Sequence, residues 1–234
     1  MVKSEIISAA TANRLYWLGR YEERVYMTLH LLRQCYDLMI DGQPSEYDTF
    51  WGKLDSNENY NSKEEFELGM MYDDKNPNSV FSALLRAMDN AILLREMITS
   101  DTLSYLEMSV ALMRECKARR EKNVTALQRV SDWSLAFWGC AEQCMDNKKS
   151  LGLMQLGRDI EYMDMLIRFD YPVEKLKAAW QILMQTTGRL DDKDLVDNHV
   201  ATHLSDFFLK GTWRPNDFIM KNEALKALTT LIRI

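Results

Sequence analysis

The segment SAATANRLYWLGRYEERVYMTLHLLRQCYDLMI, residues 8–40, decides the fold class. It holds no proline and one glycine, and strong helix formers fill it. Wound as a helix, Leu15, Leu18, Val25, Leu29, Leu32 and Tyr36 form one apolar stripe. Trp17, Met27, Leu31, Cys35 and Leu38 form a second, with Arg20 and Arg24 inside it. A helix apolar on two faces is a central helix, so arginines within its stripe are at least partly desolvated. Asp41-Gly42-Gln43-Pro44 ends the helix, Gly42 supplying a left-handed cap and Pro44 the stop.

The same period continues outward. Residues 44–62 are polar and Asn-rich and read as a loop with a short helix around Trp51. Asn76-Pro77 opens a helix to about Ile98, with Asn as cap and Pro at the first helical position. Further helices are expected near 102–122, 123–146, 151–169, Pro172–Thr187 and Asp191–Lys210, and from Pro215 to the end. Trp133, Phe137 and Trp138 lie close together in this set and read as packing residues. The pattern predicts an all-α fold, a bundle of about eight helices without strands, in a single domain over 1–234.

The chain also repeats itself. Leu18, Gly19, Arg20, Glu23 and Met27 align with Leu156, Gly157, Arg158, Glu161 and Met165 at an offset of 138. The same offset lays Pro77-Asn78 on Pro215-Asn216. Amphipathicity alone would not place a Gly, an Arg and a Glu together twice. Two repeat halves, about 8–122 and 151–234, related by an approximate two-fold axis, are therefore expected.

Helix 151–169 carries Leu151, Met154, Met165 and Phe169 in a stripe that includes Arg158, with Glu161 at its edge. A buried charge without a partner costs several kcal/mol. Glu23 follows Arg20 by three residues and Glu161 follows Arg158 by three, a spacing that brings the groups onto one face. Two readings stand side by side. The pairs are internal ion pairs that fix helix packing, or they face one another and make a polar pocket for a carboxylate, amide or phosphate group. In the second reading Glu23 and Glu161 are candidate catalytic bases, and Arg20, Arg24 and Arg158 hold substrate.

Bulk properties exclude several classes. With 29 Lys and Arg against 35 Asp and Glu the net charge is -6, which argues against a general nucleic-acid binder. The basic cluster Arg114, Lys117, Arg119, Arg120 and Lys122 is interrupted by Glu115 and Glu121 and reads as a solvated helix face. Cys35, Cys116, Cys140 and Cys144 form no CxxC pair and fit reduced thiols in a cytoplasmic protein. No apolar run is long enough for a transmembrane helix. His199 and His203 are spaced for chelation, but Val200 stands where a zinc-peptidase motif needs Glu, so no metal is assigned. No P-loop, GxGxxG or GxSxG occurs, and no cofactor is expected.

The run from Ser8 through Asn13-Arg14-Leu15-Tyr16-Trp17-Leu18-Gly19-Arg20-Tyr21-Glu22-Glu23-Arg24 resembles the opening of the bacterial alpha-E domain family, whose Glu-Arg motif Glu23-Arg24 would match. Residues 66–80 with Asp74 and Asn76-Pro77, and 84–96 with Arg86, Asn90 and Arg95, resemble its next motifs. Residues 156–162 resemble the later repeat, with Tyr162 where a second Glu-Arg pair would have its Arg. The resemblance implies a helical domain and adds Asn90 and Arg95 to the candidate substrate-binding residues. It also implies work beside an ATP-grasp-type ligase and a transglutaminase-like protein on a peptide or other amide-linked product, as catalyst or as non-catalytic adaptor.

Overall fold

The computed structural model describes residues 7–40, 50, 52–54 and 60–234. Ten α-helices and one 3-10 turn appear among them, and no strand; the β pairing is an isolated bridge between Val196 and Ile232. The helices are α1 (Ala9–Ile40), α2 (Lys63–Tyr72), α3 (Val80–Leu93), α4 (Arg95–Ile98), α5 (Ser100–Arg119), α6 (Gln128–Cys144), α7 (Lys148–Arg168), α8 (Val173–Arg189), α9 (Asn198–Leu209) and α10 (Phe218–Thr230). The all-α expectation holds. None of these helices is long and apolar enough to cross a membrane.

Helix α1 covers nearly all of the two-striped segment 8–40. Leu15, Leu18, Val25, Leu29, Leu32, Met27, Leu31 and Cys35 are all buried, as the two stripes require, while Leu38 is exposed. The Asp41–Pro44 stop and Trp51 itself fall outside the described residues, while Phe50, Gly52 and Lys53 on either side of Trp51 are helical.

Element starts differ from expectation in a consistent way. Asn76-Pro77 does not open α3. The Asn76 side chain accepts from the backbone N–H of Asn78 and closes a local turn, and Ser79 caps the helix by accepting from the N–H of Ser82. Pro215 likewise precedes its helix by a turn, and Asp217 caps α10 through the N–H of Met220. In each case the side-chain acceptor nearest the apolar run takes the free N–H groups, leaving the proline in the entry turn. The helix expected to reach Ile98 breaks after Leu93, and α2 forms in a stretch for which the spacing had named no helix.

The chain divides into two compact units. One holds Met1–Arg20 and Met145–Ile234; the other holds Tyr21–Cys144. In the first, α7 packs against α8 and α10, and α9 packs against both of those. Leu153, Met154, Leu156, Ile160, Met163, Leu166 and Ile167 bury α7 nearly all round, and Trp180 of α8 meets Phe208 of α9 at 5.8 Å between ring centroids. In the second unit α5 packs against α3 and α6, around Phe66, Met70, Leu84, Leu106, Met113 and Phe137. Phe137 and Trp138 are buried, as packing residues should be.

Candidate functional site

Within the first unit, α7 and the first part of α1 cross at two glycines. A Cβ on Gly19 would lie 1.9 Å from the Met154 carbonyl oxygen, and one on Gly157 would lie 1.9 Å from the Tyr16 carbonyl oxygen. The next contacts are reciprocal as well: Gly19 faces the Arg158 nitrogen and Gly157 faces the Arg20 nitrogen. Each contact maps onto the other through the offset of 138. No residue with a side chain permits this approach, so the backbones touch and the neighbouring side chains are forced close.

That closeness brings Arg20 to Glu161. The guanidinium donates through Nε and Nη2 to Glu161 Oε2, each at 2.8 Å. Glu161 has no exposed surface and Arg20 is 9% exposed. The Arg20 guanidinium also lies 4.9 Å from the Trp17 ring and 5.9 Å from the Tyr16 ring, within cation–π range. Burial disfavours the Arg20 cation, but the Glu161 carboxylate, Tyr16 and Asp164 together hold its pKa above the usual value. Burial pushes the Tyr16 hydroxyl upward too, with Arg20 opposing and Glu161 reinforcing. The Arg20 guanidinium is therefore held in its charged form against the Glu161 carboxyl group.

The spacing argument had assigned Glu161 to Arg158 on its own helix, at the edge of the stripe. In the fold it is fully buried and engaged by Arg20 across the crossing. The glycine crossing presents Glu161 directly to Arg20. Arg158 lies 3.6 Å from Asp159, and 29% of its side chain is exposed.

Two further acids of α7 are buried, and neither had been singled out. Asp159 accepts from the Thr186 hydroxyl of α8 at 2.6 Å, and burial raises its pKa. Asp164 accepts from Arg168 at 2.5 Å one turn on. The Asp164–Arg168 pair was readable, since an acid four residues ahead of an Arg is the favourable helical order.

The remaining candidates belong to the second unit. Glu23 is buried and Arg24 half-buried. Asn90 is half-buried and donates to the Arg86 carbonyl at 3.0 Å, a bond within its own helix. Arg95 is exposed and pairs with its neighbour Glu96 at 3.2 Å. The basic cluster is largely neutralised: Arg119 pairs with Glu115, Lys117 lies 3.3 Å from Asp74, and Lys122 lies 2.7 Å from Glu64. An open groove of about 860 Å³ borders it, lined by Tyr60, Glu64, Gly69, Tyr72, Lys117 and Arg120. His199 is exposed and His203 pairs with Glu223 at 3.0 Å; no cluster of three metal-ligating groups occurs among the described residues.

One buried acid of this unit that sequence reasoning missed is Glu22. It is 2% exposed, and its Oε2 has no hydrogen-bond partner. Desolvation raises its pKa to about 7, with the nearby Ser134 hydroxyl opposing slightly.

No curated protein and no solved structure matches the chain. Residues 7–198 match the model of a predicted alpha-helical domain with a conserved ER motif. That stretch contains the glycine crossing, the buried Arg20–Glu161 pair and the Glu23-Arg24 dipeptide, and it is most of the molecule: the chain belongs to the Alpha-E family.

Proposed function

We propose that the protein acts in the cytoplasm beside an ATP-grasp-type ligase, and in company with a transglutaminase-like protein, in the synthesis or modification of a peptide or other amide-linked product. Within that setting it serves as a non-catalytic adaptor, and the Arg20–Glu161 pair is a clasp between helices. Family membership supports the setting. The observation that supports the adaptor role is the closure of the pair: Glu161 is wholly buried and already accepts from Arg20. A general base must reach the proton it removes, and this carboxylate has no surface open to a ligand. The reciprocal glycine contacts at the offset of 138 support reading the crossing as the axis of the sequence repeat.

The catalytic alternative assigns Glu161 and Glu23 as bases and Arg20, Arg24 and Arg158, with Asn90 and Arg95, as the residues that hold a carboxylate or amide ligand. Arg158 favours it, because its side chain is partly accessible. One experiment separates the two. The double variant Arg20→Met with Glu161→Met removes both charges while keeping apolar volume, a change that buried ion pairs often tolerate. Mixed with an ATP-grasp-type ligase from the same genome, wild type and double variant should co-elute from a sizing column and support equal product formation. Product lost with a folded, co-eluting double variant would establish the catalytic reading. Wild type that fails to co-elute would refute the partnership.

A further inference from the structure

Cys140 and Cys144, which form no CxxC pair in the sequence, are neighbours on one face of α6. Their sulfurs are 3.7 Å apart, with the Cys140 thiol donating to the Cys144 sulfur. From α5 the Thr102 hydroxyl donates to the Cys140 sulfur at 3.3 Å, which holds that side chain in the rotamer facing Cys144. Both cysteines are half-buried, whereas Cys35 and Cys116 are buried.

Two sulfurs at this separation are in van der Waals contact and need to close by roughly 1.7 Å to bond at about 2.05 Å. Helix geometry places the Cα atoms of residues four apart at about 6 Å, inside the range of about 4.4–6.8 Å that disulfides span. The helix position supplies the remaining freedom. Cys144 is the last residue of α6, and residues 145–147 continue without regular structure. Closure therefore distorts only a terminal turn, whose carbonyls have no helical partners to lose.

We propose that Cys140 and Cys144 form a reversible dithiol–disulfide couple that reacts with hydroperoxides. One sulfur attacks hydrogen peroxide: an S–O bond forms, the O–O bond breaks, and water leaves with the thiol proton. The second sulfur then displaces the sulfenic oxygen: the S–S bond forms, the S–O bond breaks, and a second water leaves. Two thiols and one peroxide give one disulfide and two waters, and a small dithiol restores the reduced pair. Thr102 is a positioning residue in this scheme, and Cys35 and Cys116 are internal controls. The proposal is independent of the Arg20–Glu161 reading.

The full chain is treated with hydrogen peroxide, denatured, alkylated and digested with trypsin. Residues 130–148, which contain both cysteines, fall in one peptide. That peptide should appear unalkylated and about 2 Da lighter, and return to the doubly alkylated form after dithiothreitol. Cys35 and Cys116 should stay alkylated throughout. Cys140→Ser should abolish the mass loss and leave Cys144 as a trappable sulfenic acid, and Thr102→Val should slow closure without changing the product. Two results would overturn the couple: both thiols still alkylated at doses that oxidise the adjacent Met145, or a disulfide to Cys35, to Cys116 or to a second chain.

Discussion

Glu22 interrupts an apolar stripe. Leu15, Leu18, Val25, Leu29, Leu32 and Tyr36 follow a three-four spacing that runs straight through position 22. The carboxyl is buried there, with one oxygen unpartnered. Its raised pKa of about 7 fixes the sign of a pH effect. The fold prefers the protonated form, so stability is highest below the unfolded value near 4.5 and declines as pH rises through about 7, beyond which the penalty is constant. Glu22→Gln should gain stability over wild type by on the order of 3 kcal/mol at pH 8 and by almost nothing at pH 4.5. Urea unfolding at the two pH values measures this; an equal gain at both would contradict it. The position was legible in the spacing, but the adjacent Glu23 draws attention because it belongs to the Glu-Arg dipeptide. Glu161 was legible as a charge near an apolar stripe, and its partner was not. Helical periodicity reports which face a residue occupies and says nothing of which helix meets that face.

At the level of elements, the fold turns on where two helices touch. Gly19→Ala or Gly157→Ala would place a methyl group 1.9 Å from a carbonyl oxygen of the other helix. Backbone cannot yield as a side-chain tip does, so each change should destabilise the protein by about 3 kcal/mol. Gly139, within α6, has open space around its Cβ position. Gly139→Ala should stabilise by roughly 0.5–1 kcal/mol, the ordinary helix-interior effect. Thermal denaturation of the three variants checks the contrast, and similar shifts for all three would remove the crossing from the account. The repeated Leu-Gly-Arg made these glycines visible before any coordinates. Helix starts were less legible. Asn76 and Ser79 are both good caps, and the side chain of Asn76 was already committed to the turn at Asn78. Only the three-dimensional course of that turn shows which residue is left to cap.

For the whole molecule, composition was enough to establish the all-helical class, because few glycines and prolines interrupt the apolar runs. The division of α1 at Arg20 was not legible, since a continuous amphipathic pattern carries no mark of which neighbours each turn meets. Arg20 and Glu161 are tolerated in the buried crossing as a pair, and each is costly when left without the other. A double-mutant cycle with Arg20→Met and Glu161→Met, read by urea unfolding, tests that most directly. Each single change strands one buried charge and should cost about 3–5 kcal/mol, while the double variant should lie within about 1 kcal/mol of wild type. Single changes that each cost little, or costs that simply add in the double variant, would contradict it.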